Sequence, residues 1–226
     1  HMIPFGMKSK IVQYSYQKNY DKLVKDLLAN SNGKVFLDIG SGLGFLNPLV
    51  EKYKGCYVGL EPREDALQFA KDKYNGECFF RGFFPDDLPK NLSEQMMQDE
   101  GGAVIISLTT LDEVPNKDSF LEGIYNLSQT RSKVFIAVRN KNWILSRNSD
   151  VQNEFGDCLE DLTIEQYRQL FLKNKFDIID IVKAPRPLIT SFTINGIKNF
   201  VIRIIEKFIS VDRAYMIGFM LKKSKK

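Results

Sequence analysis

The chain has 226 residues, 43 % hydrophobic and 27 % charged, a balance that excludes a disordered, collagen-like or coiled-coil protein. Its 32 Lys and Arg against 28 Asp and Glu leave a net charge of +4, too mild to imply a nucleic-acid partner. Part of that excess sits in the Lys222-Lys223-Ser224-Lys225-Lys226 tail, which reads as a solvated terminus.

Taken in chain order, residues 16–30 carry Tyr20, Leu23, Val24, Leu27 and Leu28 on one helical face, and Asn32-Gly33 closes the helix. Short apolar runs at 35–39, 56–61, 78–81, 103–108, 133–138, 176–182 and 214–221 read as seven strands. Helices are expected between them: one reaching about Tyr53, then 64–74, 93–99, 116–130, 163–173 and an amphipathic 196–210. Strands separated by helices pair in parallel through right-handed crossovers. The expected fold is therefore α/β: a doubly wound, seven-stranded, mostly parallel sheet with an antiparallel last strand and helices on both faces. It forms one domain over 1–226. That domain comprises an N-terminal cap helix (1–32), a Rossmann-like core (33–183), a helical insertion or lid (184–212), and a last strand with a basic tail (213–226).

Cys56, Cys78 and Cys158 are odd in number and lack C-x-x-C spacing, so neither a disulfide framework nor a zinc site is expected. Cys56 and Cys78 are expected as small buried thiols. No apolar stretch approaches the roughly 20 residues of a membrane span and no signal peptide is seen, so a cytoplasmic location is expected. The opening His-Met resembles a tag-cleavage remnant, which leaves the natural chain without an imidazole.

The strongest local signal is Val35-Phe36-Leu37-Asp38-Ile39-Gly40-Ser41-Gly42-Leu43-Gly44: a strand ending in an acid, glycines at alternate positions, then a helix. Glycine permits the tight turn, and the following helix amino terminus offers N–H groups to an anionic group. A dinucleotide fingerprint starting at Gly40 needs glycine at 45, where Phe45 stands. The D-x-G-x-G-x-G spacing resembles the class I S-adenosylmethionine-dependent methyltransferases. The resemblance implies that Asp38, Gly40, Ser41, Gly42, Gly44 and Phe45 wrap the methionine part of the cofactor, the acid reaching its amino group.

Glu61 closes the second strand ahead of Pro62, and a carboxylate there can accept both hydroxyls of a ribose. The lesser alternative is an acid that caps the next helix. The resemblance implies the ribose role for Glu61, with Pro62 beside it. Residues 81–89 resemble the family segment that meets adenine. Their acids come late, at Asp86 and Asp87, and Asp86 is assigned to the base; Phe83 or Phe84 covers the ring or fills the core. Residues 105–115 resemble the segment after the fourth strand of small-molecule members, many of which read L-E-H-V. Here Leu111-Asp112-Glu113-Val114 puts Glu113 where the histidine would be. Ser107 and Leu108 are assigned to the cofactor, Thr109 and Glu113 to catalysis. The resemblance covers 33 to 140; beyond that only strand order agrees.

The segment after the fourth strand carries no N-P-P-Y, D-P-P-Y or Pro-Cys, and no acids stand at metal-ligand spacing, so no metal is expected. A neutral hydroxyl acceptor requires a base, and without histidine Glu113 leads Asp112, tyrosine and lysine, with a solvated or helix-capping acid as the alternative. An anionic acceptor requires cations instead, for which Arg139, Lys141 and Arg147 stand near Trp143. Tyr16 and Tyr20, with Tyr14, either close over the acceptor or pack the first helix. The 196–210 helix is a core element, a lid or a dimer contact; its mixed-charge polar face speaks against a membrane surface.

The expected function is S-adenosylmethionine-dependent methyl transfer, with S-adenosylhomocysteine as product, to an oxygen of a small anionic, phosphorylated or sugar-type acceptor in polysaccharide or secondary biosynthesis. Its partners are that small molecule alone, without nucleic acid or membrane, in a monomer or homodimer. The alternatives are an RNA or protein methyltransferase, a dinucleotide-dependent oxidoreductase and a non-catalytic binding domain.

Overall fold

The computed structural model describes residues 5–29, 34–98, 101–142, 162–184 and 210–224, with the backbone alone at 5–16 and at 212. Seven strands form one sheet: β1 (Val35–Ile39), β2 (Cys56–Glu61), β3 (Phe79–Arg81), β4 (Val104–Leu108), β5 (Lys133–Arg139), β6 (Phe176–Lys183) and β7 (Met216–Lys223). Their order is β3-β2-β1-β4-β5-β7-β6. The first five pair in parallel, and β7 inserts antiparallel between β5 and β6. Among the described residues six α-helices accompany them: α1 (Phe5–Leu28), α2 (Asn47–Lys52), α3 (Glu64–Lys73), α4 (Lys90–Gln98), α5 (Lys117–Leu127) and α6 (Ile164–Lys173). This is the doubly wound sheet with an antiparallel last strand that the sequence predicts.

Side chains alternate across the sheet with period two, so each strand feeds two cores. Val35, Leu37 and Ile39 of β1 join Leu92 and Met96 of α4, Phe120 and Ile124 of α5, and Tyr167 and Phe171 of α6. Phe36 points the other way, to Tyr20, Val24 and Leu27 of α1, Leu49 and Val50 of α2, and Leu67 of α3. Because both faces are covered, the strand interiors are apolar without alternation. The helix ends are fixed locally. Asn116 caps α5 through Ser119 N–H, and Thr163 and Gln166 form a reciprocal capping box at α6.

Several expectations need correction. Helix α1 begins at Phe5 rather than near residue 16, consistent with a run from 7 to 28 that holds neither Gly nor Pro. Cys56, at the outer end of β2, is exposed and Cys78 half-buried, so neither is a buried core thiol. Tyr20 packs into the core beneath α1, not over a pocket. Trp143, Arg147, Cys158 and the expected helix at 196–210, save its last residue, lie outside the described residues, as does the side chain of Tyr16. Among the described residues no helix is long and apolar enough to cross a membrane.

The chain winds outward from β1 in both directions, to β2 on one side and β4 on the other. In such sheets the ligand crevice opens at the carboxyl ends of the strands flanking this reversal. Asp38, Glu61 and Thr109 all stand there.

Candidate functional site

The turn after β1 is tied to both neighbouring strands. Gly40 and Ser41 N–H groups donate to the Leu60 carbonyl of β2 at 2.8 and 3.1 Å, and the Thr110 hydroxyl donates to the Ile39 carbonyl at 3.0 Å. Gly40 and Gly42 take φ of +74° and +53°, the left-handed region. A Cβ at Gly40 would lie 2.0 Å from Thr110 Oγ1, whereas one at Gly42 would meet nothing nearer than Arg63 Nη2 at 3.9 Å. Gly42 therefore presents bare backbone to the crevice. Gly44 differs from its assignment to the cofactor: a Cβ there would run into the Phe79 ring, so it is glycine for packing α3 and β3 against the turn.

Glu61 is the pivot. Its buried carboxylate accepts Gly42 N–H at Oε2 (2.7 Å) and, at Oε1, both the backbone N–H and the Nε of Arg63 (3.1 and 3.0 Å). The crevice consists of two adjoining volumes that share Gly40, Arg63, Leu108 and Thr109 as walls. The larger, about 330 Å³, is bounded by Glu61, Pro62, Phe83, Phe84, Thr110 and Glu113. The smaller, about 230 Å³, is bounded by Asp38, Ser41, Gly42, Phe45 and Leu46.

Asp38 accepts the Tyr57 hydroxyl at 2.8 Å. Burial pushes its pKa up to about 7; the Tyr57 hydrogen bond opposes that rise and the Glu61 charge adds to it. Burial likewise holds the Tyr57 phenol well above its usual range. In the unfolded chain Asp38 ionises near 3.8, so between pH 4 and 7 the folded state binds the extra proton. Stability should therefore fall as pH rises through this window, by on the order of 1 kcal/mol per unit, and level off above pH 7. Thermal midpoints measured from pH 4 to 8 for the wild type and Asp38→Asn check this: the variant should lack that component of the slope.

The end of β4 is unusual. Thr109, β-branched, sits at φ +61°, its hydroxyl donating to the Leu108 carbonyl at 2.6 Å and its N–H to Ala137 O at 2.8 Å. A bulky residue held in the left-handed region is strained, and such strain concentrates at functional sites. Glu113 lies on the larger volume with its carboxylate half-exposed, and burial raises its pKa. Behind it Asp112 is fully buried, accepting the Tyr167 hydroxyl and the Arg139 N–H, each at 2.8 Å.

Four assigned residues stand elsewhere than expected. Arg139, taken as a rim cation, is buried, its guanidinium 3.5 Å from Asp112 and 3.8 Å from Glu113. Lys141 is exposed on the turn beyond β5 and borders neither volume. Ser107 is enclosed within the sheet, also off the crevice. Asp86 faces solvent, and Asp87 instead folds back to accept Phe83 N–H at 2.8 Å, leaving the Phe83 ring 69 % exposed at the crevice mouth. Sequence reasoning placed Thr110 near the site but missed Arg63, Val114 and Phe120 as crevice walls. Only Arg63 carried a signal, a cation placed directly after Glu61-Pro62.

No protein-family model matches the sequence, and no curated protein matches it significantly. Solved structures do match. An S-adenosylmethionine-dependent methyltransferase from Aquifex aeolicus is 14 % identical, with 97 % of this chain and 98 % of that one covered, at a TM-score of 0.59. Magnesium protoporphyrin IX methyltransferase from Synechocystis, solved with bound S-adenosylhomocysteine, is 16 % identical over 99 % of this chain and 89 % of its own (TM-score 0.59). Phosphoethanolamine N-methyltransferase 2 from Haemonchus contortus, in complex with S-adenosylmethionine, is 14 % identical over 94 % of this chain and 57 % of its own (TM-score 0.61). What is shared at such identities is architecture: the chain has the Rossmann-like fold of the class I S-adenosylmethionine-dependent methyltransferases.

Proposed function

We propose that this protein is an S-adenosylmethionine-dependent methyltransferase acting on an oxygen of a small anionic, phosphorylated or sugar-type acceptor in a biosynthetic pathway. The observation that carries the reading is Glu61, a buried carboxylate fixed by the glycine turn and walling a crevice at the reversal of strand order. That acceptor suits a ribose with free hydroxyls, because a carboxylate accepts two hydroxyl hydrogens and repels a phosphate in their place. Asp38, beside the smaller volume, suits an ammonium, whose charge would draw the carboxyl into its ionised form. Gly42 lets a ligand approach its backbone, and Pro62 and Phe83 offer apolar cover to a base.

When bound, the cofactor supplies an electrophilic methyl on a sulfonium, and the protein's contribution is alignment and exclusion of water. Leu108 and Thr109 border both volumes and hold that alignment at the junction. Glu113 is the group to take the proton of an acceptor hydroxyl, since it borders the larger volume and burial, by raising its pKa, makes it a stronger base than a free carboxylate. The anionic acceptor class is supported by the name of the Haemonchus neighbour, which gives a phosphorylated one. Arg63 is the cation bordering both volumes. Phe45 fills the place where a dinucleotide turn needs its third glycine, which disfavours a nicotinamide cofactor.

A thermal-shift panel tests the reading. S-adenosylmethionine and S-adenosylhomocysteine at about 100 times their dissociation constants should each stabilise the protein by about 2.7 kcal/mol, with NADH and NADPH inert. Stabilisation by the nicotinamides alone would end it.

A further inference from the structure

The Glu61 carboxylate is nearly saturated in this structure. Its two oxygens offer about four lone-pair sites. Three are occupied, by Gly42 N–H, Arg63 N–H and Arg63 Nε. A ribose diol needs two, so one present donor has to leave. Gly42 N–H is fixed by the turn, and Arg63 N–H by the entrance to α3. The Arg63 side chain is 67 % exposed and can swing away at little cost. Its departure frees a site on Oε1 beside the one already open on Oε2, matching one hydroxyl per oxygen.

The same side chain walls both volumes, and its Nη2 points toward bare Gly42. It therefore lies across the waist of the crevice, where the larger and smaller volumes would join. Glu113 is near enough for its charge to interact with Arg63, and offers the released guanidinium a second acid on the same rim.

We propose that Arg63 is a displaceable latch on the ribose subsite. It holds Glu61 while the crevice is free, and yields only to a nucleoside that brings two hydroxyls to replace it. The inference rests on the cofactor reading above and makes Arg63 a specificity-determining residue rather than a cofactor ligand. A merely space-filling side chain would have no such effect, which the choice of variant exploits. Arg63→Met keeps the reach of the side chain and removes its donors and charge.

Isothermal titration of the full chain with S-adenosylhomocysteine tests the proposal. Arg63→Met should bind roughly two- to fivefold more tightly than the wild type, the scale of an exposed ion pair. Raising salt from about 0.05 to 0.5 M should narrow that gap, because screening loosens the latch in the wild type. Binding by Arg63→Met that is equal to or weaker than wild type overturns the latch and leaves the cofactor reading standing. Absence of binding by both proteins overturns the cofactor reading, and the latch with it.

Discussion

Glu61→Ala is expected to weaken S-adenosylhomocysteine binding by at least about 100-fold. Two hydroxyl groups donating to a buried carboxylate contribute roughly 1.5–3 kcal/mol each, so their joint loss corresponds to about 10²–10⁴ in affinity. The local structure suffers too, because Gly42 N–H loses its acceptor at 2.7 Å and the turn loses one of its ties to the end of β2. Glu61→Gln separates the two effects. It keeps the volume and one carbonyl oxygen but turns an amide N–H₂ toward donors, so it should bind nearly as poorly while folding as well as wild type. Titration calorimetry reads affinity and circular dichroism reads folding. Glu61→Gln binding within about threefold of wild type would remove the ribose role.

Gly40→Ala is expected to destabilise the protein by about 3 kcal/mol, a midpoint loss of roughly 6–12 °C for a domain of this size. Left-handed backbone at an alanine costs about 1–2 kcal/mol. The remainder comes from the new Cβ, which would stand 2.0 Å from Thr110 Oγ1 and force out the hydroxyl that bridges to the Ile39 carbonyl. The contact makes the two positions non-additive. Thr110→Ala alone should cost about 1 kcal/mol for the lost hydrogen bond. The double variant should then be no less stable than Gly40→Ala, since the Thr110 hydroxyl and methyl that collide most closely with the new Cβ are gone. Strictly additive losses would show that the turn and the end of β4 are not packed as described.

The contrast between Glu61 and Arg139 shows what the sequence could convey. Glu61 was legible because it ends an apolar strand at a fixed distance from a glycine turn, and strand ends in a parallel sheet point to one edge. The sheet was legible for a related reason: two covered faces demand continuous apolar runs such as 103–108, and helical spacers demand parallel pairing. Arg139 also ends a strand, but with both faces of the sheet covered its position alone did not reveal that its guanidinium would lie beside the buried Asp112. Ser107 was misplaced likewise, by one step of the pleat. Asp86 and Asp87 differ only in how a loop folds, and Asp87 closes onto Phe83 N–H through a geometry that spacing does not encode. Tyr20 looked like a lid residue from the resemblance, yet the Tyr20, Val24, Leu27 spacing already placed it on the apolar face of α1. Thr109 is assigned to the site by the resemblance, but its backbone carried no signal, since nothing about a threonine announces positive φ.

A crystal grown with S-adenosylhomocysteine puts the whole account at stake. The nucleoside should span both volumes, its two sugar hydroxyls on Glu61, its ammonium near Asp38, and the Arg63 side chain withdrawn from Glu61. Density for the compound away from the turn after β1, or a crevice still closed by Arg63 in crystals that bind it elsewhere, would contradict the account.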